Sequence, residues 1–188
     1  MISRRHFLAA TAAGVALPAP ALAQSGGFQL EPVFRPQRVT IKRDLGAPQI
    51  IILPRAHFLY FVDQPGSALR YGVGVGRAGL EFTGEAVIQV KKEWPTWRPT
   101  DEMIEREPDT YSRFVDNDYV QPGGPENPLG ARALYLFQNG RDTFYRIHGT
   151  TAPRSIGRSV SNGCIRMLNE HVIDLYERVP VGTKVTVL

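Results

Sequence analysis

The sequence predicts a mainly β domain, a sandwich or partly closed barrel with one or two short helices and a long loop. Short apolar runs alternate with turn residues along most of the chain, and 18 glycines and 15 prolines interrupt its 188 residues. Only one segment has a sustained helical period. This pattern favours many short strands joined by turns over a helical bundle. The length is sufficient for one globular domain.

The first 23 residues have the organisation of an export signal. Arg4-Arg5 precedes an alanine-rich apolar stretch at residues 7–17, and residues 21–23 supply the small side chains that a signal peptidase recognises. Paired arginines are typical of the twin-arginine type, whose substrates cross the membrane folded. Because the apolar run is too short for a membrane span, we expect cleavage after about Ala23. The expected location is the periplasm, with no transmembrane segment in the mature protein.

The mature chain is predicted to consist of a tether, residues 24–46, and a folded domain, residues 47–188. The tether has no sustained period, apart from a possible edge strand at residues 38–42. Apolar runs predict the strands of the domain, at residues 50–53, 58–62, 69–75, 86–90, 133–137, 143–147 and 184–188. Asn139-Gly140 predicts a hairpin, because both residues tolerate a positive φ. Gly72 and Gly74 indicate a bulge or a close backbone approach within their strand.

One helix is predicted after residue 168. Asn169 is a suitable N-cap residue. The apolar residues that follow it fall on one helical face, and they are Val172, Leu175, Tyr176 and Val179. Pro180 and Gly182 end the helix.

A long irregular stretch separates the strands between Trp94 and Gly130, with a short helix expected at residues 101–106. Loops of this length in compact domains are usually functional, as lids or binding loops. Trp94, Trp97 and Tyr111 are therefore candidates for a lid that covers substrate. The alternative is a structural insertion without a role in binding.

Charge and motifs exclude several classes of function. The net charge of +4 is modest, and without a lysine or arginine block or a series of stacking aromatics we expect no nucleic-acid partner. A mildly basic protein would suit an anionic polymer such as a cell wall. One cysteine and scattered histidines do not form a zinc site. The glycine-rich run at residues 72–76 does not fit a dinucleotide fingerprint, because an antiparallel hairpin is predicted there. No metal and no cofactor are expected.

The candidate site combines one cysteine with one histidine. Cys164 is the only cysteine, and an unpaired thiol is a liability in an exported protein. It lies in a polar, glycine-bearing turn that a substrate can reach, although free cysteines are often buried and inert. His148 ends a predicted strand and is followed by Gly149, which is suitable for facing a cleft. A nucleophilic thiol needs a base or a positive neighbour, and His148 is preferred for this role.

The sequence contains three other histidines. His57 lies in a turn between two early strands, and His6 lies in the signal. His171 lies in the first turn of the predicted helix, where we expect it to be exposed to solvent.

These segments resemble a known family. Ile147-His148-Gly149-Thr150 and Ser161-Asn162-Gly163-Cys164-Ile165-Arg166-Met167 are similar to the signature of the L,D-transpeptidase (YkuD-type) catalytic domain. Residues 71–76, 123–130 and 179–185 are also similar to family segments, so the resemblance runs from about residue 49 to residue 188. Asn162 stands where a second histidine is common, and we expect it to form local hydrogen bonds only.

The resemblance implies remodelling of peptidoglycan. Cys164 would be the nucleophile and form a thioester with the third residue of a tetrapeptide stem. His148 would take the thiol proton, or share a thiolate–imidazolium pair, and then protonate the leaving amine. The backbone carbonyl of Gly149 would orient the imidazole, in place of the carboxylate of other triads.

Further roles are expected within the cysteine motif. The N–H groups of Gly163 and Cys164 are candidate oxyanion donors. Ser161 would bond to His148 or shape the turn, and Arg166 would have a structural role or hold a substrate carboxylate.

The implied partners are peptidoglycan stem peptides as donor and acceptor, or an outer-membrane protein as acceptor, with a carbapenem as covalent inhibitor. Two alternatives remain. One is a cysteine hydrolase of the same fold that cleaves wall peptides or releases wall-linked protein. The other is a non-catalytic wall-binding domain.

Overall fold

The computed structural model describes residues 28–188, and the predicted export signal lies outside the described residues. Within this range the helices are α1 Asp101–Arg106 and α2 Asn169–Arg178. The strands are β1 Gln37–Thr40, β2 Gln49–Leu53, β3 Phe58–Gln64, β4 Ser67–Gly72, β5 Val75–Gly76, β6 Gly84–Glu93, β7 Arg132–Gln138, β8 Arg141–His148, β9 Ser159–Ser161, β10 Ile165–Arg166 and β11 Lys184–Val187. Neither of the two helices is long and apolar enough to cross a membrane.

Nine of these strands form one mixed sheet in the order β1-β4-β3-β2-β11-β6-β7-β8-β10. Strands β5 and β9 pair in parallel as a separate two-stranded sheet. The mainly β class with two short helices is therefore confirmed, and the large sheet is not closed, since β1 and β10 lie at its two ends.

Among residues 28–188 one cluster of buried apolar side chains joins the strands to helix α2. Strand residues alternate between faces, and β2 accordingly buries Ile50 and Ile52 completely while its other positions are half-buried. Helix α2 packs its apolar face against β7 and β8, with Val172 and Leu175 fully buried. Burying a side chain of this size contributes about 1.5–3 kcal/mol.

The final strand occupies the centre of the sheet rather than an edge. Strand β11 pairs in parallel with β2, with Val185 opposite Ile50. On its other side it pairs antiparallel with β6, with Val185 opposite Ala86. The C-terminal residues thereby join the two halves of the sheet.

Local turn predictions are confirmed where glycine or asparagine sets the backbone. Asn139 and Gly140 connect β7 to β8 with φ of 52° and 74°, the double positive φ that the tightest hairpins require. The predicted strand at residues 69–75 ends at Gly72. A Cβ on Gly74 would lie 2.5 Å from the Ser155 carbonyl oxygen, so the predicted close approach is also confirmed. The glycine-rich run leads from β4 into β5, not into a helix.

Part of the predicted tether belongs to the folded sheet. The expected edge strand forms as β1, which pairs antiparallel with β4. Phe34 then packs against the backbone of Gly72 and Gly157, where a Cβ on either glycine would overlap it. Its ring also lies 5.7 Å from that of Phe58.

Two expectations about α2 are wrong. The N-cap position belongs to Leu168, and Asn169 is the first helical residue. Its side-chain oxygen instead accepts hydrogen bonds from the N–H groups of Ala131 and Thr150, at 3.0 and 3.2 Å. His171 is buried at 7% exposure rather than solvent-exposed, because its ring packs towards Tyr71 in the sheet beneath.

Candidate active site

The site is assembled by the parallel pairing of β8 with β10. Ile165 lies opposite Ile147, and Arg166 lies opposite His148. The N–H of Met167 donates to the His148 carbonyl at 2.8 Å. The two isoleucines are buried in the core, so alternation directs His148 and Arg166 to the other face. Cys164, one residue before β10, is brought to this end of the sheet.

His148 is buried and oriented by a backbone carbonyl. Its side chain is 4% exposed, and Nδ1 donates to the carbonyl oxygen of Gly149 at 2.5 Å. Burial lowers the pKa of His148 to about 4, outweighing the carbonyl bonds that favour the charged form. The imidazole is therefore neutral at pH 7, and Nε2 carries the lone pair.

Cys164 is a half-buried free thiol. Its Sγ donates to the carbonyl oxygen of Phe144 at 3.8 Å. Burial raises the pKa of Cys164, while the backbone N–H of Arg146 and the guanidinium groups of Arg146 and Arg166 act in the opposite direction. The thiol is therefore protonated at neutral pH, and within residues 28–188 it forms no hydrogen bond to His148.

A bulge in β8 presents the carbonyl that the thiol contacts. Phe144 has a φ of 61°, a conformation that is rare for a bulky residue, and its side chain is 68% exposed. The Phe144 N–H donates to Asp142 at 2.8 Å. Asp142 is held in turn by a bidentate ion pair with Arg146, at 2.7 and 2.8 Å. The strained backbone is thus fixed from both sides.

Ser161 shapes the turn that carries the cysteine. Its hydroxyl donates to the Cys164 carbonyl at 2.6 Å and accepts the Gly163 N–H at 3.1 Å. Gly163 has a φ of 118°, and a Cβ there would overlap the Tyr145 ring. The Gly163 N–H is thereby occupied, whereas the Cys164 N–H donates to no protein acceptor in the described part of the chain.

Arg166 is, like Arg146, a cationic side chain near the thiol. It is half-buried, and burial lowers its pKa, although the nearby Cys164 and Tyr111 act in the opposite direction. Among the described residues no carboxylate lies within ion-pair distance of its guanidinium.

Asn169 organises the loops beside His148. Its Oδ1 occupies the space that a Cβ on Gly130 or Gly149 would need, and it accepts from the N–H groups of the residues that follow these two glycines, Ala131 and Thr150. The sequence did not reveal this role, because asparagine at a helix start has a sufficient local explanation as a cap. The contact joins residues 38 positions apart.

The three lid candidates have different positions. Trp97 closes the base of the irregular stretch, since its backbone exchanges hydrogen bonds of 2.9 and 2.8 Å with Gln121. Trp94 follows β6 and is 46% exposed. Tyr111 extends to the turn before Cys164, where its hydroxyl accepts from Asn162 at 2.8 Å. Of the three, Tyr111 therefore contacts the cysteine motif.

Residues 47–187 match the family model YkuD, the L,D-transpeptidase catalytic domain. The chain belongs to this family. It is 32% identical over 159 residues to the probable L,D-transpeptidase ErfK/SrfK of Escherichia coli, an alignment that covers 81% of this chain and 47% of the relative. The chain thus spans about half the length of this relative. A Fuscovulum blasticum L,D-transpeptidase relative from the ATP synthase subunits region is 34% identical, over 100% of this chain and 98% of its own.

Solved structures share the fold. The L,D-transpeptidase 3 of Mycobacterium tuberculosis, in complex with a faropenem-derived adduct, covers 73% of this chain and 58% of its own with a TM-score of 0.53 at 16% identity. A Brucella melitensis structure described as a probable carnitine operon oxidoreductase is 54% identical, covers 85% of this chain and 96% of its own, and has a TM-score of 0.57. The family model and the curated relatives name L,D-transpeptidases instead.

Proposed function

We propose that this protein is a peptidoglycan L,D-transpeptidase whose Cys164 forms a thioester with the third residue of a tetrapeptide stem. The acyl group then passes to an amine, either on a second stem or on an outer-membrane protein. The observation that carries the proposal is the pairing of β8 with β10, which brings a buried imidazole and a free thiol to one end of the sheet.

The protonation states of His148 and Cys164 support general-base activation of the thiol rather than a resting thiolate–imidazolium pair. The low pKa of His148 and the raised pKa of Cys164 leave both groups neutral at pH 7. His148 Nε2 takes the thiol proton as sulfur attacks the carbonyl carbon, and the Gly149 carbonyl stabilises the imidazolium through Nδ1. The imidazolium then protonates the departing D-alanine amine. Such proton transfer typically contributes about 10²–10⁴ in rate.

The oxyanion of the tetrahedral intermediate needs backbone donors. The Cys164 N–H is the first candidate, because it has no other acceptor among the described residues. The Gly163 N–H can join it only by leaving Ser161 Oγ. Loss of one oxyanion donor costs about 3–4 kcal/mol of barrier.

Arg166 is proposed to hold the carboxylate of the departing D-alanine. Its guanidinium lies beside the thiol without an acidic partner in the described range, and arginine binds carboxylates through paired hydrogen bonds. We expect Arg166→Gln to raise KM for tetrapeptide stems more than it lowers kcat.

Inhibition and location follow from the same proposal. The faropenem-derived adduct of the Mycobacterium tuberculosis relative supports covalent inhibition of this protein by a β-lactam, and we expect a carbapenem to acylate Cys164. Residues 1–23 are proposed as a cleaved export signal of the twin-arginine type, with residues 47–188 as the catalytic domain working in the periplasm.

The test is mass spectrometry of muropeptides after incubation of the purified protein with tetrapeptide stems and a free D-amino acid. We expect exchange of the terminal D-alanine, no product with Cys164→Ala, and at least a hundredfold slower acylation with His148→Gln. His57→Gln is the matched control and retains activity. If the only product were the hydrolysed stem, the protein would be a cysteine hydrolase. If a carbapenem caused no mass shift in the wild-type protein, the protein would be a non-catalytic binding domain.

A further inference from the structure

The side chain of Asn162 joins the catalytic loop to the irregular stretch at residues 94–130, called the flap below. Asn162 Oδ1 accepts from Arg77 at 2.7 Å and from Arg106 at 3.1 Å. Its Nδ2 donates to the Tyr111 hydroxyl at 2.8 Å. An amide offers two acceptor sites and two donor hydrogens, so three of its four positions are used. These bonds extend well beyond the local role expected from sequence.

The partners of Asn162 are themselves connected. Arg77 forms an ion pair with Glu107, and Arg106 Nε lies 3.5 Å from the same carboxylate. The backbone N–H of Arg77 also donates to the Ser161 carbonyl at 3.0 Å. Three separate segments of the chain therefore meet at one amide.

The flap side of this cluster is rigidly packed. Tyr111 lies 6.1 Å from the Trp97 ring, and Phe114 packs edge-to-face against Trp97 at 5.2 Å. Trp97 closes the flap base through its pairing with Gln121. Movement of the flap as a unit would therefore have to break the bonds at Asn162, whereas its own packing would be retained.

The cluster is suited to reversible closure. Arg77 and Arg106 are half-exposed, and exposed ion pairs contribute little individually. A peptide substrate can therefore open the contact without a large cost. Asn162 precedes Gly163 and Cys164 directly, so closure also fixes the backbone that presents the thiol.

We propose that Asn162 is a positioning residue that latches the flap over the Cys164 thioester and thereby favours transfer to an amine over hydrolysis. The inference rests on the proposed function and extends it. A closed flap keeps water from the acyl-enzyme, and asparagine is suited to the latch because it accepts from two guanidinium groups and donates to a phenol at once.

The experiment measures flap protection and product partition separately. Amide hydrogen exchange at residues 101–121 is compared for the wild type, Asn162→Ala and Tyr111→Phe. We expect exchange about tenfold faster in both variants. Asn117→Ala is the matched control, because Asn117 bonds only to Arg113, Val115 and Tyr119 within the flap. Its exchange at residues 101–111 should equal that of the wild type.

The second measurement is the ratio of transfer to hydrolysis with a tetrapeptide stem and a D-amino acid. Asn162→Ala should lower this ratio about tenfold, and Asn162→Asp, which keeps both arginine contacts, should recover part of it. If Asn162→Ala changed neither the transfer-to-hydrolysis ratio nor the exchange rate, the latch would be overturned. The proposed function would still stand as long as the wild type formed the thioester. If the wild type formed no thioester, the proposed function would be overturned. Amide hydrogen exchange would then still show whether Asn162 holds the flap.

Discussion

The Sγ of Cys164 lies 3.8 Å from the carbonyl oxygen of Phe144, a residue held at a φ of 61°. The resting thiol thus directs its proton to a backbone carbonyl rather than to the imidazole of His148. Because the thiol is bonded and neutral at rest, its deprotonation is expected to accompany attack on the substrate.

The first prediction concerns the reactivity of this thiol. Alkylation of Cys164 by iodoacetamide should rise with pH and reach half its maximum above about 8.5, the ordinary cysteine pKa, because burial raises the pKa of Cys164. Arg166→Gln should move the midpoint higher still, and Arg166→Lys should restore it. A plateau between about pH 5 and 8 would instead indicate a thiolate–imidazolium pair and contradict the general-base mechanism.

The second prediction concerns strain at Phe144. Glycine adopts a positive φ without the penalty of about 1–2 kcal/mol that other residues incur. The free energy of unfolding, measured with urea, should therefore be about 1 kcal/mol higher for Phe144→Gly than for Phe144→Ala. Both variants lose the same exposed ring, so their difference isolates the backbone. Equal stability would show that the bulge is unstrained.

The third prediction concerns Gly163. A methyl group there would overlap the Tyr145 ring and lie 2.5 Å from the Leu80 carbonyl oxygen, at a φ of 118°. Gly163→Ala should lower the free energy of unfolding by about 1–3 kcal/mol and displace the Cys164 N–H, with a loss of transfer activity. Gly140→Ala is the control, since Gly140 has a positive φ but open space. A fully active Gly163→Ala protein would contradict the proposed packing.

The fourth prediction concerns stability at low pH. Burial lowers the pKa of His148 in the folded protein to about 4, whereas the unfolded chain takes up this proton near pH 6.5. The contribution of the neutral imidazole is therefore complete above pH 6.5 and declines as the pH falls towards 4. The decline should amount to roughly 3 kcal/mol. The free energy of unfolding, measured with urea at several pH values, should fall less steeply towards low pH for His148→Gln than for the wild type. An equal pH dependence would refute the lowered pKa of His148.

The fifth prediction concerns the segment before β2. Phe34 fills the space above Gly72 and Gly157, so Phe34→Ala should lower the free energy of unfolding by roughly 1–3 kcal/mol. Val33 is 48% exposed, and Val33→Ala should change the free energy of unfolding by less than about 0.5 kcal/mol. If the two variants were equally stable, residues 28–40 would be a dispensable attachment.

Sequence reasoning succeeded where a local pattern determines the structure. The Asn139-Gly140 turn follows from φ preferences and the apolar face of α2 from periodicity, and the short helix expected at residues 101–106 is also present. The apolar run at residues 50–53 likewise predicted β2, whereas the alternation that buries Ile50 and Ile52 completely became visible only in the structure.

Long-range contacts were not accessible in this way. Asn169 and His171 were misjudged because their environments come from residues distant in sequence, namely Ala131 and Tyr71. The contact of the thiol with Phe144 depends on a bulge in β8, and no residue pattern in the sequence predicts this bulge. The partners of Asn162 come from two separate segments, the flap and the loop at Arg77, and only the folded chain brings them together.

The central position of β11 has a consequence for folding. Residues 184–187 pair with β2 on one side and with β6 on the other, so these two strands are joined within the sheet only when β11 is in place. Contacts between such distant parts of a chain form slowly. The large sheet therefore forms as one unit only after β11 inserts between β2 and β6, and substitutions that prevent this insertion would separate the halves and yield an aggregation-prone product.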